Sequence, residues 1–409
     1  MNLYPRENYL KKIRGFYHEE DIIKVITGVR RCGKSSLMVT IADEIMQSGV
    51  PKENVIYIDL DSRPNKGITT ADQLESLILK KGTAPGRKYL FVDEIQNVTD
   101  FEKVINGFRT EGDWSIFVTG SNSYLLSGEL VTKLTGRYIE FEIFPLSFEE
   151  YEGMKRFYGK EINRNPMLEL NAYITEGGFP RALFFDTPAD KRRYVSGVID
   201  EIFEKDIRKR VKIRTRETFE TVMRFVINNF GATTSLRNIV DELGRAGSAV
   251  TLHTVSKYVK ALVDAKILYE CPRFDLKSKK SLNGEKKYYL SDLGFFFTQN
   301  TDNRINYGPV LENIVFVYAR SHDYSVSVGR IGKLECDFIL RDTNLSYSYV
   351  QVAYTIASSR ETEDREYRSL ENIKDNYPKY VMTTDWLLQN RNGIENVNLI
   401  EFISAGKRF

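Results

Sequence analysis

Over the first 150 positions, short unbroken apolar runs alternate with stretches in which apolar residues return every three or four places. A short run bounded by turn formers reads as a strand buried on both faces, and the longer spacing as an amphipathic helix. The runs are Asp21 to Thr27, Val55 to Leu60, Tyr89 to Glu94, Trp114 to Thr119 and Tyr138 to Phe144, the last closed by Pro145. Between them the spacing predicts helices through Leu37, Ile41 and Ile45, over 71–81, and near 100–111. Residues 1–20 form a short amphipathic lead-in. Strand and helix in turn predict a parallel α/β sheet.

Further on the pattern changes. Residues 150–215 are helical in period, interrupted at Glu176-Gly177-Gly178-Phe179-Pro180, where a tight turn packed near the first domain is expected. Residues 217–292 read as a winged helix. One helix carries Phe219, Val222, Met223 and Val226, a second Leu236, Ile239, Val240 and Leu243, and a third covers Thr254 to Leu262. Strands at Ile267–Glu270 and Tyr288–Leu290 bracket a hairpin, with Asn283-Gly284 expected at its tip. The last hundred residues return to α/β, with a helix from Leu311 to Ala319 and strands at Leu334–Leu340 and Ser348–Tyr354.

A chain of 409 residues has room for two to four domains. Apolar content of 42% and charged content of 28% belong to an ordinary globular protein, and no apolar run is long enough to span a membrane. The N-terminal stretch has no signal-peptide core. Cys32, Cys271 and Cys336 are too scattered for a disulfide framework or zinc spacing, so a cytoplasmic setting is expected. A net charge of +3 does not imply nucleic acid, so any such argument must be local.

Candidate chemistry centres on Gly28-Val29-Arg30-Arg31-Cys32-Gly33-Lys34-Ser35-Ser36, which has the spacing G-x-x-x-x-G-K-S between a predicted strand and a predicted helix. In that setting the glycines turn backbone N–H groups inward to cradle phosphates, and the helix start adds its positive end. Lys34 would reach the β- and γ-phosphates, and Ser35 would give one oxygen to Mg²⁺. Downstream, an apolar strand ends in Asp93-Glu94. Asp93 is the expected second Mg²⁺ ligand and Glu94 the base that polarises an attacking water. At the tip of the next strand, Ser121 or Asn122 could orient that water, or the Ser-Asn pair could simply cap a helix. Arg137 could neutralise phosphoryl charge from a neighbouring subunit, or be an ordinary surface arginine.

The strings GVRRCGKS, FVDEIQN, VTGSNS and LTGR–strand–PLSFEEY together resemble the AAA+ superfamily of ATPases. EGGFPRAL at 176–183, YYLSDLGF at 288–295 and GPVLENIVF at 308–316 extend the resemblance over nearly the whole chain, toward the bacterial and archaeal group whose C-terminal domain is DUF4143. The resemblance implies ATP as the nucleotide with Mg²⁺ and a small helical lid after the sheet. The expected architecture is a P-loop AAA+ parallel sheet (1–150), a helical lid (151–215), a winged helix (216–295) and a C-terminal α/β domain (296–409). Arg181 is a weak candidate for a second sensor, and the basic run Lys205 to Arg216 reads as a solvated helix face.

The order of elements in the last domain resembles the PD-(D/E)xK nuclease core, with Asp337 as metal ligand, Glu312 its helper and Gln351 on the second strand. The lysine position is Ala353, so a relict fold is expected, with Lys333 as a conceivable substitute. In the winged helix, His253, Ser256, Lys257 and Lys260 are candidate contacts to duplex DNA, helped by wing residues Lys277, Lys279, Lys280, Lys286 and Lys287. Three readings follow: an ATPase coupling nucleotide state to conformational change in its C-terminal half; a nucleotide-gated switch binding DNA or protein; and a metal-dependent nuclease. A homo-oligomer is consistent with an arginine supplied in trans.

Overall fold

The N-terminal unit, Met1–Phe144, runs α1 (Glu7–Ile13), β1 (Ile23–Thr27), α2 (Lys34–Gln47), β2 (Val55–Asp59), α3 (Ala71–Lys81), β3 (Lys88–Asp93), α4 (Phe101–Glu111), β4 (Trp114–Thr119) and β5 (Tyr138–Glu142). The computed structural model describes residues 2–120, 134, 136–213, 215–248, 250–278, 280–300 and 304–409, with backbone alone at 281–283. Expected elements and observed ones agree to within a few residues. The inner strands β1 and β4 are buried along their whole length, whereas the edge strand β2 alternates, because only an edge strand has a half-exposed face.

All five strands are parallel, in the order β2-β3-β4-β1-β5. On one face Ile78, Leu74, Ile105 and Phe108 of α3 and α4 pack onto Ile56, Leu90 and Ile116 of the sheet. Within the sheet Phe91 stacks on Phe117 at 4.6 Å between centroids. Parallel strands put their C-terminal ends on one rim, so the residues after β1, β3 and β4 converge there. One charge is buried away from that rim. Lys24 of β1 donates to the Glu19 carbonyl at 2.5 Å and to Ser115 Oγ at 3.0 Å. Burial pulls its ammonium down to about 7.

The second unit, Pro145–Phe409, opens with helices α5 (Phe148–Phe157), α6 (Pro166–Glu176) and α7 (Pro188–Ile202), which runs into one π-helical turn at Phe203–Ile207. There follow α8 (Arg216–Asn228), β6 (Thr233–Thr234), α9 (Leu236–Arg245), α10 (Leu252–Asp264), β7 (Leu268–Asp275), β8 (Lys280–Leu290) and α11 (Gly294–Gln299). The chain ends with α12 (Tyr307–Ser321), β9 (Ser325–Ile331), β10 (Leu334–Arg341), β11 (Tyr347–Val352), α13 (Arg360–Glu371), β12 (Lys379–Thr383), β13 (Glu395–Asn398) and α14 (Leu399–Ser404). One eight-stranded sheet, β13-β12-β11-β10-β9-β7-β8-β6, joins the strands expected to form a wing to those of the terminal domain, through a parallel pairing of β7 with β9.

The hairpin differs from expectation. Its turn begins at 276–278, where Asp275 Oδ1 accepts from the N–H groups of Lys277 and Ser278. Asn283-Gly284 instead falls inside β8, where the partners jump from Pro272↔Lys286 to Arg273↔Leu282. Gly284, at φ +113°, forms a bulge there.

The three C-terminal strings quoted above meet at residues 289–294. Tyr289 donates to Glu312 Oε2 at 2.7 Å. Asn313 clamps Leu290 from both sides, accepting its N–H at 2.7 Å and donating to its carbonyl at 3.0 Å. Asp292 accepts from Gly178 N–H at 2.6 Å and Gly294 N–H at 2.7 Å. Burial pushes that carboxyl up to about 7, against the pull of the two N–H groups.

Candidate functional site

The loop between β1 and α2 is shaped by crowding. Gly28, at φ +143°, leaves no room for a side chain, since a Cβ would lie 2.1 Å from the Ile143 carbonyl oxygen and 2.9 Å from Cys32 Sγ. Arg6 fastens the far side of the loop, donating to the carbonyls of Cys32 at 3.0 Å and Phe144 at 2.9 Å. Cys32 is fully buried, and burial raises its thiol pKa, so it packs and does not act as a nucleophile. Gly33, at φ +108°, is the N-cap of α2. Val29 is buried too, whereas Arg31, Ser35 and Ser36 are exposed.

Lys34 opens α2 and is buried, its ammonium donating to the carbonyls of Gly28 at 3.0 Å and Val29 at 3.1 Å. It lies folded over the loop that would receive phosphate, held by two neutral acceptors that an anion can outcompete.

Across β4 from the loop, β3 ends at Asp93, buried, with Tyr57 donating to Oδ2 at 3.3 Å and Thr119 hydrogen-bonded to Oδ1. Glu94 follows in the left-handed conformation, φ +57°, its N–H bonded to Thr119 Oγ1 at 3.2 Å. Gln96 donates to Glu94 Oε2, and the Arg30 guanidinium lies 4.0 Å from the same oxygen. Strand order explains the convergence: β4 stands between β1 and β3, so Thr119 at its tip touches both carboxylate residues. Thr119, Gln96 and Tyr57 were not singled out from the sequence. The one available signal was Thr119 as the last residue of its strand.

Among the expected residues, the structure thus gathers Arg30, Asp93 and Glu94, with Lys34 on the same rim. Arg137 is elsewhere. It is exposed at the start of β5, its carbonyl accepting from Ile23 N–H at 2.9 Å and its guanidinium donating to Asn106 at 3.3 Å. Ser121, Asn122, Arg214 and Lys279 lie outside the described residues.

Several basic side chains of the second unit are paired within the chain. Lys205 pairs with Glu201 at 2.9 Å, Arg208 with Glu204 at 2.9 Å and Arg216 with Asp200 at 2.5 Å. Arg181 is exposed beside Phe184 and Phe185. On α10, Lys257 donates to the Lys212 carbonyl at 2.8 Å and Lys260 lies 3.4 Å from Asp264, while His253 is exposed and Ser256 half-buried. Lys286 pairs with Glu270 at 2.6 Å. Lys287, expected on an exposed wing, is instead buried 3.0 Å from Glu312. It supplies an ammonium where the reading from Ala353 expected none. Gln351 is held by Glu366 and Ser369, and Lys333 is exposed.

A glycine-cornered loop with its lysine, facing an acidic strand end across one intervening strand, defines a P-loop nucleotide-binding domain. Residues 20–152 match the AAA domain family. Residues 167–303 match DUF8612, a domain of unknown function, where DUF4143 was expected. A Haemophilus influenzae protein described as uncharacterized is 34% identical over 406 residues, covering 98% of each chain. The chain belongs to the same family as that protein. Uncharacterized protein MJ1544 of Methanocaldococcus jannaschii is 29% identical over 363 residues, 86% of this chain and 79% of its own. Among solved structures, the Walker-type ATPase PABY2304 of Pyrococcus abyssi shares the fold, with TM-score 0.51 at 16% identity, over 73% of this chain and 96% of that one. Among the described residues no helix is long and apolar enough to cross a membrane.

Proposed function

We propose that the chain binds ATP at residues 28–36 and hydrolyses it to ADP and phosphate. The observation that carries this reading is the shared rim, on which Lys34 covers its own loop and Thr119 bridges Asp93 and Glu94. On binding, Lys34 exchanges the Gly28 and Val29 carbonyls for phosphate oxygens. Glu94 takes the proton of the attacking water, which requires its carboxylate to leave Gln96. Arg30, drawn toward the incoming charge, would loosen its hold on the same carboxylate. One hydroxyl (Ser35) and one carboxylate (Asp93), completed by water, form a donor set suited to Mg²⁺, which when bound offsets charge on the phosphates.

Phosphate release from ATP in the presence of Mg²⁺ tests this. Lys34→Ala should abolish nucleotide binding. Glu94→Gln should keep binding and lose turnover by roughly 10²-fold or more. Normal turnover in Glu94→Gln would remove the base assignment, and a full chain that takes up no Mg-ATP would remove the function.

In the same reading, α8 to β8 form a winged helix, supported by their helix–strand–helix–helix–strand–strand order and by β6 pairing antiparallel with β8. The strands from β9 onward form a nuclease-like unit that moves with nucleotide state. Duplex DNA, if it is the partner, would meet the exposed start of α10 around His253, because Lys286 and Lys287 are engaged within the chain.

A further inference from the structure

Three carboxylates of the second unit converge on one cation. The Lys287 ammonium lies 3.0 Å from Glu312 Oε2, 3.1 Å from Glu335 Oε1 and 3.9 Å from Asp337 Oδ1. Each acid is also held from behind. Tyr289 donates to the same Glu312 oxygen at 2.7 Å, Arg273 to the other Glu335 oxygen at 3.0 Å, and Val352 N–H to Asp337 Oδ2 at 2.9 Å. Burial works against the ammonium, yet the charges of Glu312, Asp337 and Glu335 hold its pKa above the ordinary value. The Asp337 carboxyl is pushed up by burial and then by Glu312. By distance, three carboxylates share the one Lys287 ammonium, and Arg273 reaches only one of them.

Strand alternation explains how the lysine arrives. Lys286 and Lys287 are adjacent on β8, so one points to Glu270 and the other to the opposite face, alongside Tyr289. The acids come from elements far apart in sequence: Glu312 from α12, Glu335 and Asp337 from alternate positions of β10.

We propose that Lys287 is a built-in cation standing where a divalent metal would otherwise sit, so that the native cluster takes up no metal. Oxygen ligands from three carboxylates, two of them on one strand face, are the donor set of Mg²⁺ or Mn²⁺. Such ions need oxygens at about 2.1 Å, closer than the ammonium holds them. The inference is independent of the nucleotide reading.

The test is calorimetric titration of Mn²⁺ into the full chain without nucleotide, with Asp337→Asn as the control that separates this cluster from every other site. The native chain and Lys287→Arg should show no Asp337-dependent uptake. Lys287→Met should bind about one equivalent, with a rise in Tm of several degrees, both lost in Lys287→Met/Asp337→Asn. Asp337-dependent uptake by the native chain would overturn the proposal, and so would a folded Lys287→Met that binds none. If Lys287→Met is unfolded in chelator, Mn²⁺ should restore its circular dichroism; failure to do so would also overturn it.

Discussion

At the scale of single residues, Lys24 shows how burial sets a pH dependence. Its side chain is inaccessible and lies 4.7 Å above the Phe117 ring, and its pKa falls from 10.5 to about 7. The unfolded chain therefore holds that proton more tightly between pH 7 and 10.5, so this residue makes the fold more stable as pH rises through that window and least stable below it. The slope from one such group is at most about 1.4 kcal/mol per pH unit. Lys24→Met removes the buried charge while Ser115 Oγ keeps its bond to the Tyr17 carbonyl at 2.7 Å. The exposed Glu19 can turn its freed carbonyl to water. Urea unfolding at pH 6 to 10 should show the variant more stable than the parent at neutral pH, by up to a few kcal/mol, with the difference shrinking toward pH 10. A constant difference across that range would mean that Lys24 does not titrate there.

At the scale of elements, legibility follows locality. The spans of β4 and α3 were legible, because an unbroken apolar run and a helical apolar period are local signals, and in the structure α3 opens on a capping pair, Thr70 with Gln73. The loop 28–36 and the pair Asp93-Glu94 were legible for the same reason. Thr119 and Gln96 were not, since their roles depend on which strand lies beside which. Nor was Lys287, because a pair of lysines does not reveal which one faces inward until the register is known. The Asn283-Gly284 signal was real but served a bulge, since Asp275 had already made the turn. Residues 176–178 illustrate a contact that only the fold explains. A Cβ on Gly178 would lie 2.3 Å from the Leu146 carbonyl oxygen and 3.3 Å from Asp292 Oδ2. Gly178→Ala must therefore shift the turn, weaken the bonds to Leu146 and Asp292, and leave a buried carboxyl short of a donor. The expected loss is about 3 kcal/mol or more, read as a lowered denaturation midpoint. Gly197→Ala on the exposed side of α7, where a Cβ meets nothing within 4 Å, should instead gain about 0.5–1 kcal/mol. Equal effects at the two glycines would show that crowding at residue 178 is not what the chain requires.

At the scale of the whole molecule, the sheet's polarity decides what Arg137 can serve. The Arg137 carbonyl bonds Ile23 N–H, at the start of β1, whereas the phosphate loop follows Thr27 at its other end. A strand of that length separates the two by about 13 Å, at roughly 3.3 Å per residue. With its guanidinium bonded to Asn106, Arg137 makes no contact, among the described residues, with Lys34 or Glu94 on that rim. If Arg137 serves turnover, as an arginine supplied in trans would, it does so at the rim of a second copy. Arg137→Ala should then bind ATP normally and turn it over roughly 10³-fold more slowly. Lys34→Ala should be inactive but keep its arginine. Mixing the two inactive variants would form shared interfaces in which an intact loop meets an intact arginine, so phosphate release should recover well above the sum of the parts. Recovery should track the fraction of mixed assemblies seen by light scattering with an ATP analogue. A mixture no more active than its components, or an Arg137→Ala chain with full turnover, would return Arg137 to the role its contact with Asn106 already gives it, that of a surface residue at the lower edge of the sheet.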